Sequence, residues 1–435
     1  MRNDIVHIGA GELTYEIRNI VTVGEKLQSL GIKTYWENIG DPVAKGEVIP
    51  GWMKKIVADA VMEDTSYGYC PTRGILATRE FIASQTNKRG GAQIGPDDIL
   101  FFNGLGDAIS KVFGFLRRTA RVVVPSPSYT THSSAEAAHA GDRPVTYLLD
   151  PSNNWYPDLD DLEKRIKYNP AVSGILIINP DNPTGAVYPV EILTRMVALA
   201  KKYDLFLICD EVYNKIIYNG TTTVPLSDII GDVPAIAMRG ISKEMPWPGS
   251  RCGWIEVYNA QHDPMFQKYI GSILNAKMVE VCSTTLPQKV LPEIISHPEY
   301  ENYLKERVAR YERLSNVAYD ILKDVDGIMV NRTNGALYMS VAFEKGRINS
   351  RQSLPIANKE VRNHVENLVN QPGVAPDKRF VYYLLGATGV CVVPLTSFVT
   401  ELQGFRSTLL ERNEERFKKI CYIMADGIRD YMASV

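Results

Sequence analysis

The sequence predicts an α/β protein, with a mainly parallel seven-stranded sheet in a large domain and a smaller α+β domain beside it. Three observations carry this expectation. Seven apolar runs bounded by turn residues recur at Ile99–Phe102, Val122–Val124, Val145–Leu149, Gly174–Ile178, Leu205–Cys209, Pro234–Met238 and Trp254–Val257. Longer amphipathic segments, such as Gly106–Arg117 and Val190–Lys202, separate most of them. Runs that are apolar throughout read as strands covered on both faces, and strands alternating with helices pair in parallel. After residue 300 the pattern changes to one long helical stretch followed by shorter strands.

Taken in order, the chain opens with a helical pattern over Tyr15–Leu30, closed by Gly31, and an extended piece running into Ile39-Gly40-Asp41-Pro42. A helix over Trp52–Glu63, a turn-rich segment Thr65–Gly74 and a helix Ile75–Asn87 follow. Beyond the seven strands come a helix Tyr300–Lys323, strands at Gly335–Val341, Val390–Val393 and Phe405–Leu410, and helices Asn358–Asn370 and Leu409–Met432. The expected division is a large domain over residues 50–300 and a small one built from residues 1–49 and 301–435. No internal repeat or low-complexity linker interrupts this order.

Composition narrows the function. The 435 residues are 45% hydrophobic with a formal net charge of -2, so neither nucleic acid nor an anionic membrane is an expected partner. The start Met1-Arg2-Asn3-Asp4-Ile5 carries no signal-peptide pattern, and no apolar run approaches the ~18 residues of a membrane span. The six cysteines are scattered without a Cys-x-x-Cys, and the six histidines do not cluster with them. Reduced thiols in a cytoplasm are expected, and a metal site is not.

Ligands of such a sheet belong at the carboxyl ends of its strands. There the sequence places Asn103-Gly104-Leu105-Gly106-Asp107, Pro125-Ser126-Pro127-Ser128-Tyr129 with His132 beyond it, and Asn179-Pro180-Asp181-Asn182-Pro183-Thr184-Gly185. Two further ends carry Asp210-Glu211-Val212-Tyr213 and Arg239-Gly240-Ile241-Ser242-Lys243, the latter followed by a Gly/Pro loop and Arg251. A lysine among cations and partly desolvated is disposed to react as a neutral amine. Singly these residues have ordinary readings: a surface lysine, a helix-capping Asp, a turn Asn, a core tyrosine, a structural histidine.

Their order is far more specific. Asn-Pro-x-Asn-Pro-Thr-Gly, then Asp-Glu-x-Tyr, then Ser-Lys with Gly-x-Arg-x-Gly resembles the class I/II aminotransferases, enzymes of fold type I that use pyridoxal 5'-phosphate (PLP). The likeness runs from Gly40 to Arg406. It implies that Lys243 is the Schiff-base lysine and proton shuttle, and that Asp210 pairs with the pyridine nitrogen. Asn182 and Tyr213 would donate to the cofactor's phenolate oxygen, Tyr129 would stack on its ring, and His132 would support Asp210. The helix opening at Leu105-Gly106-Asp107 and Arg251 would hold the phosphate, Ser242 would contact the cofactor, and Tyr69 would reach the partner's phosphate across a homodimer interface. Arg406 would bind the substrate α-carboxylate and Gly40 would close over it.

Three departures accompany the likeness. Gly106 and Gly240 stand where the family usually carries hydroxyl residues, so weaker cofactor retention is expected. The loop Val393–Phe398 is bulkier than the family's glycine-rich version. The stretch Ile273–Gln288, with Cys282-Ser283-Thr284, is where the fold would present residues to a partner subunit. The expected activity moves the amino group of an L-amino acid to a 2-oxo acid through a pyridoxamine-phosphate intermediate. A PLP-dependent lyase or decarboxylase is the alternative within the fold, and a PLP-binding regulatory module the alternative outside enzymology.

Overall fold

A computed structural model describes residues 5–13 and 16–434. A two-residue strand β1 (Tyr35–Trp36) precedes eight strands that form one sheet. These are β2 (Ile99–Asn103), β3 (Arg121–Ser126), β4 (Thr146–Asp150), β5 (Tyr156–Pro157), β6 (Val172–Ile178), β7 (Phe206–Asp210), β8 (Ala235–Gly240) and β9 (Cys252–Tyr258). Their order across the sheet is β2-β9-β8-β7-β6-β3-β4-β5. All seven expected strands are present. The eighth, β5, is an antiparallel two-residue edge on β4, too short to show any periodicity in sequence.

The central strands β4, β3, β6, β7 and β8 run parallel, while β9 lies antiparallel between β8 and β2. That reversal has a consequence for the site. The carboxyl ends of β2, β3, β6, β7 and β8 share one rim, and β9 begins at the same rim, directly after Arg251. Both faces of the sheet are covered, as the continuous apolar runs require. Phe101, Ile175, Ile177 and Leu207 belong to the core on one side, and Phe102, Leu176, Ile178 and Ile208 to the core on the other.

Four later strands, β10 (Ile328–Val330), β11 (Tyr338–Phe343), β13 (Val393–Pro394) and β14 (Gly404–Thr408), make an antiparallel sheet ordered β10-β11-β14-β13. β12 (Val390–Cys391) pairs in parallel with β1, joining the N-terminal segment to the C-terminal part. The expected strand at Gly335 begins only at Tyr338, because Ala336 adopts a left-handed φ of 55° that breaks the extended chain.

The first helix spans Glu16–Ser29; Tyr15, where it was expected to begin, lies outside the described residues. The helices Gly51–Val61, Leu76–Asn87, Leu105–Gly114, Val190–Lys202, Tyr300–Leu322 and Lys359–Val369 stand close to their expected bounds. The last helix starts at Glu414 rather than Leu409, where Asn413 caps it by accepting from the Arg416 N–H at 2.8 Å. A helix absent from the expectation, Pro376–Thr388, opens with Pro376 and stops at Gly389, whose φ is 80°.

Candidate active site

The strand-end rim, the segment around Gly40 and strand β14 enclose a cleft of about 440 Å³. Lys243 reaches it from the one-turn helix Ile241–Glu244 that follows β8. Its Nζ donates to the Gly40 carbonyl at 2.7 Å. The segment carrying Gly40 is stitched down by the Arg406 Nη2 bond to Asn38 O at 2.7 Å and by the Thr408 N–H to Glu37 O at 2.8 Å. Backbone around Gly40 therefore roofs the amine, and a glycine is needed there. A Cβ on residue 40 would sit 2.3 Å from the Tyr338 hydroxyl oxygen.

At the end of β7, buried Asp210 accepts from the Val212 N–H through Oδ1 at 3.1 Å. Its Oδ2 lies 2.8 Å from His132 Nε2, and the histidine is fully buried on the helix Thr130–Ala140. Tyr129, just ahead of that helix, lines the cleft and meets His132 edge-on at 6.1 Å. Asn182 is held by a tight turn in which Asp181 accepts from both the N–H and the hydroxyl of Thr184. Its Oδ1 receives Arg406 Nη1 at 3.4 Å.

Tyr213 and Tyr338 are both buried, and the Tyr213 hydroxyl donates to that of Tyr338 at 3.2 Å. Burial pushes the Tyr213 phenol well above its ordinary range. Burial acts on Tyr338 in the same sense, but the cations of Lys243 and Arg406 outweigh it and leave this phenol lowered. Arg406, 2% exposed on β14, stands between two rings, 4.5 Å from the Tyr338 centroid and 5.1 Å from that of Phe398. The bulkier loop over Val393–Phe398 thus supplies one aromatic face of this arginine.

Where β2 ends, Gly104 takes a φ of 82° and opens the helix Leu105–Gly114 toward the cleft. Arg251 crosses this opening, its Nη2 donating to Asn103 O at 3.4 Å. A Cβ on residue 104 would lie 2.4 Å from that nitrogen, so the close approach depends on glycine. A Cβ on Gly106 would meet nothing within 4 Å, which leaves open space at the helix N-terminus. N–H groups, the positive end of the helix and a guanidinium here suit a phosphate.

Leu105, Gly106, Tyr129, Asn182, Asp210, Tyr213, Ser242, Lys243, Arg251, Gly40 and Arg406 therefore share one cleft. Tyr69 does not line it: its loop is at the surface and the residue is 85% exposed. That loop is bonded to the stretch after residue 280, through Thr72 Oγ1 to Val281 O and Thr285 Oγ1 to Gly68 O, both at 2.8 Å. Thr284 in turn donates to Asn103 Oδ1 beside the phosphate-compatible opening. The expectation missed Arg18, Asn38, Asp41 and Tyr338, which also line the cleft. No local motif marks these four.

The cleft fits pyridoxal phosphate by the chemistry of its donors: an amine for the aldehyde, a buried carboxylate for the ring nitrogen, phenols and an amide for the ring oxygen, and an anion cradle with room at Gly106. Comparison with known proteins agrees. The family model for aminotransferases of class I and II matches residues 38–421. An uncharacterized aminotransferase of Methanocaldococcus jannaschii is 59% identical over 432 residues, 99% of this chain and 100% of that one. The glutamate-pyruvate aminotransferase AlaA of Escherichia coli K12 is 29% identical over 339 residues, 77% of this chain and 82% of its own. The solved alanine aminotransferase of Pyrococcus furiosus superposes with a TM-score of 0.83 at 26% identity, covering 97% of this chain and 98% of that one. These relatives favour amino-group transfer over the lyase alternative. With a match spanning most of its length, this chain belongs to the class I and II aminotransferases, enzymes that depend on pyridoxal phosphate.

Proposed function

We propose that this aminotransferase exchanges the amino group between glutamate and the 2-oxo acid of a small amino acid, with pyruvate and alanine as the small pair. The observation that carries the reading is that, besides Arg251 at the phosphate end, two further guanidinium groups, Arg406 and Arg18, line the cleft holding Lys243 and Asp210. A five-carbon dicarboxylate wants a cation at each end, and the small partner needs only one. The glutamate-pyruvate and alanine names of the relatives support the same pair.

In this reading the cofactor supplies an electron sink for the substrate α-carbon. Lys243 moves the proton at that carbon, and its bond to the Gly40 carbonyl holds the amine at the cleft. Asp210, fixed by His132 and the Val212 N–H, holds a proton on the ring nitrogen. Asn182 and Tyr213 would donate to the ring oxygen, Tyr129 would cover the ring, Leu105, Gly106 and Arg251 would take the phosphate, and Ser242 would contact the cofactor. Arg406 pairs with the α-carboxylate and so orients the Cα–H bond for cleavage.

The proposal extends to assembly. Tyr67 and Tyr69 on one of the two bonded loops, Val281 on the other and Val279 at the end of the helix Pro264–Val279 before it are exposed apolar residues next to the phosphate end. They suit a homodimer in which Tyr69 completes the partner's site. The division into residues 50–300 and residues 1–49 with 301–435 is supported by the separate sheets and the β1–β12 pairing. A cytoplasmic setting agrees with six free cysteines, and no helix among the described residues is long and apolar enough to cross a membrane.

The test is an absorbance spectrum of the PLP-loaded protein, taken as amino acids are added singly without any oxo acid. Loss of the visible band with glutamate and with alanine, restored by 2-oxoglutarate or pyruvate, is the expected result. A band that responds to alanine but not to glutamate would sink the dicarboxylate reading.

A further inference from the structure

Tyr338 belongs to none of the sequence motifs, yet it lies against Arg406, Tyr213 and Gly40. The register of the small sheet explains how it gets there. Ser340 on β11 stands opposite Arg406 on β14, and Tyr338 stands opposite Thr408. Side chains two residues apart on a strand share a face, so Tyr338 and Arg406 are diagonal neighbours on the side turned to the cleft. The guanidinium carbon lies 4.5 Å from the Tyr338 ring centroid. At the other end of the ring, the hydroxyl receives the Tyr213 bond and carries the Gly40 backbone. Tyr213 also meets the Tyr338 ring edge-on at 6.0 Å. The charged and titratable groups facing this phenol are Lys243, Arg406, Tyr213 and Asp41, the first three lowering its pKa and Asp41 raising it.

We infer that Tyr338 is a positioning residue for transamination, one that links the two ends of the site. Its ring holds the Arg406 guanidinium in the attitude that receives a substrate carboxylate. Its hydroxyl holds Tyr213 in place: with the cofactor bound, the Tyr213 proton would turn to the ring oxygen and Tyr338 would become the donor of the 3.2 Å pair. The inference rests on the roles proposed above for Arg406 and Tyr213. Its basis is that one rigid side chain, 3% exposed, has both partners in direct contact. A cation on a ring face is held without consuming its N–H donors. A hydroxyl polarised by nearby cations also strengthens the hydrogen-bonded chain in which it takes part.

The two contacts separate by substitution. Tyr338→Phe keeps the ring and removes the hydroxyl; Tyr338→Leu removes both. In the full-length, PLP-loaded enzyme, Tyr338→Phe is expected to move the midpoint of the pH titration of the visible band upward by about half a unit to one unit. A less firmly held Tyr213 stabilises the ring oxygen's anion less, and KM for alanine should stay within about twofold. Tyr338→Leu is expected to raise that KM about five- to tenfold as Arg406 loses a ring face. An unshifted midpoint in Tyr338→Phe, or an unchanged KM in Tyr338→Leu, overturns the inference. Should Tyr338→Leu lose its native melting transition, the isosteric Phe variant decides alone. Lys243→Ala serves as the control. If the unsubstituted enzyme shows no band that Lys243→Ala lacks, the underlying reading falls together with the inference. If the band is present and the Tyr338 variants match the parent, only the inference falls.

Discussion

His132 Nε2 and Asp210 Oδ2 stand 2.8 Å apart, the histidine with no exposed surface and the aspartate side chain 4% exposed. A buried carboxylate without partners is costly, so the imidazole and the Val212 N–H together hold Asp210 at the end of β7. The carboxylate is presented to the cleft in one orientation. Asp210→Asn is expected to lower kcat by about 10³-fold or more, since it removes the charge that keeps the ring nitrogen protonated. His132→Gln, which leaves the carboxylate but loosens its aim, should cost about ten- to a hundredfold. Single-turnover rates of the half-reaction with glutamate decide between them, and a His132→Gln rate equal to the parent's would remove the orienting role.

The two glycines at family hydroxyl positions differ in what surrounds them. A Cβ on Gly106 meets nothing within 4 Å, whereas one on Gly240 lies 3.2 Å from Cys252 O and 3.4 Å from Gly253 Cα, both backbone atoms of β9. Gly106→Ser should therefore add a phosphate donor without strain and tighten PLP binding about tenfold, the order expected for one hydrogen bond to a charged group. Gly240→Ser should tighten it less, because its hydroxyl arrives only if β8 and β9 separate. Dissociation constants from spectrophotometric titration of the apoenzyme test the contrast.

Arg18 reaches the cleft from the helix Glu16–Ser29 and lines it together with Asn38 and Asp41. If it takes the distal carboxylate, Arg18→Gln should raise KM for glutamate and 2-oxoglutarate about tenfold or more while leaving alanine and pyruvate within about twofold. Equal effects on both pairs would assign the arginine to the fold of the helix instead.

What the sequence disclosed follows from the range of the forces involved. The strands were legible because a doubly covered strand must be apolar at every position, as Ile175 to Ile178 are. The residues on their carboxyl ends could then be placed on one rim before any contact was known. Tyr338 and Arg18 could not, because their positions are set by packing the C-terminal sheet and the first helix against the large one. Neither spacing nor composition encodes that distance. The helix Pro376–Thr388 escaped for a different reason. Phe380, Val381, Tyr382, Tyr383, Leu384 and Leu385 are consecutively buried, so after its first turn it shows no amphipathic period. The exposed Tyr69 is the converse case, a residue whose proposed neighbours lie on another subunit.

Asp181 offers a test of electrostatics inside the site. It is fully buried between Asn179-Pro180 and Asn182, and its ionisation is raised to about 7, chiefly by burial and further by Asp210, against the Thr184 bonds that favour the anion. Tyr147 and Tyr188 feel its charge from the neighbouring elements. Among the described residues its Oδ1 has no hydrogen-bond partner, which costs less on a neutral carboxyl than on an anion. Because the native pKa stands above the unfolded one, the folded protein holds a proton that the unfolded chain releases. The stability this confers is complete below about pH 4 and is lost as pH rises toward 7, at up to about 1.4 kcal/mol per pH unit. Asp181→Asn keeps an acceptor for Thr184 and cannot ionise, so its unfolding free energy should fall less than the parent's between pH 5 and pH 8, pH values taken from about that window. Urea unfolding of both proteins at the two pH values measures the difference; equal falls would mean that Asp181 is already ionised in the folded protein at pH 5.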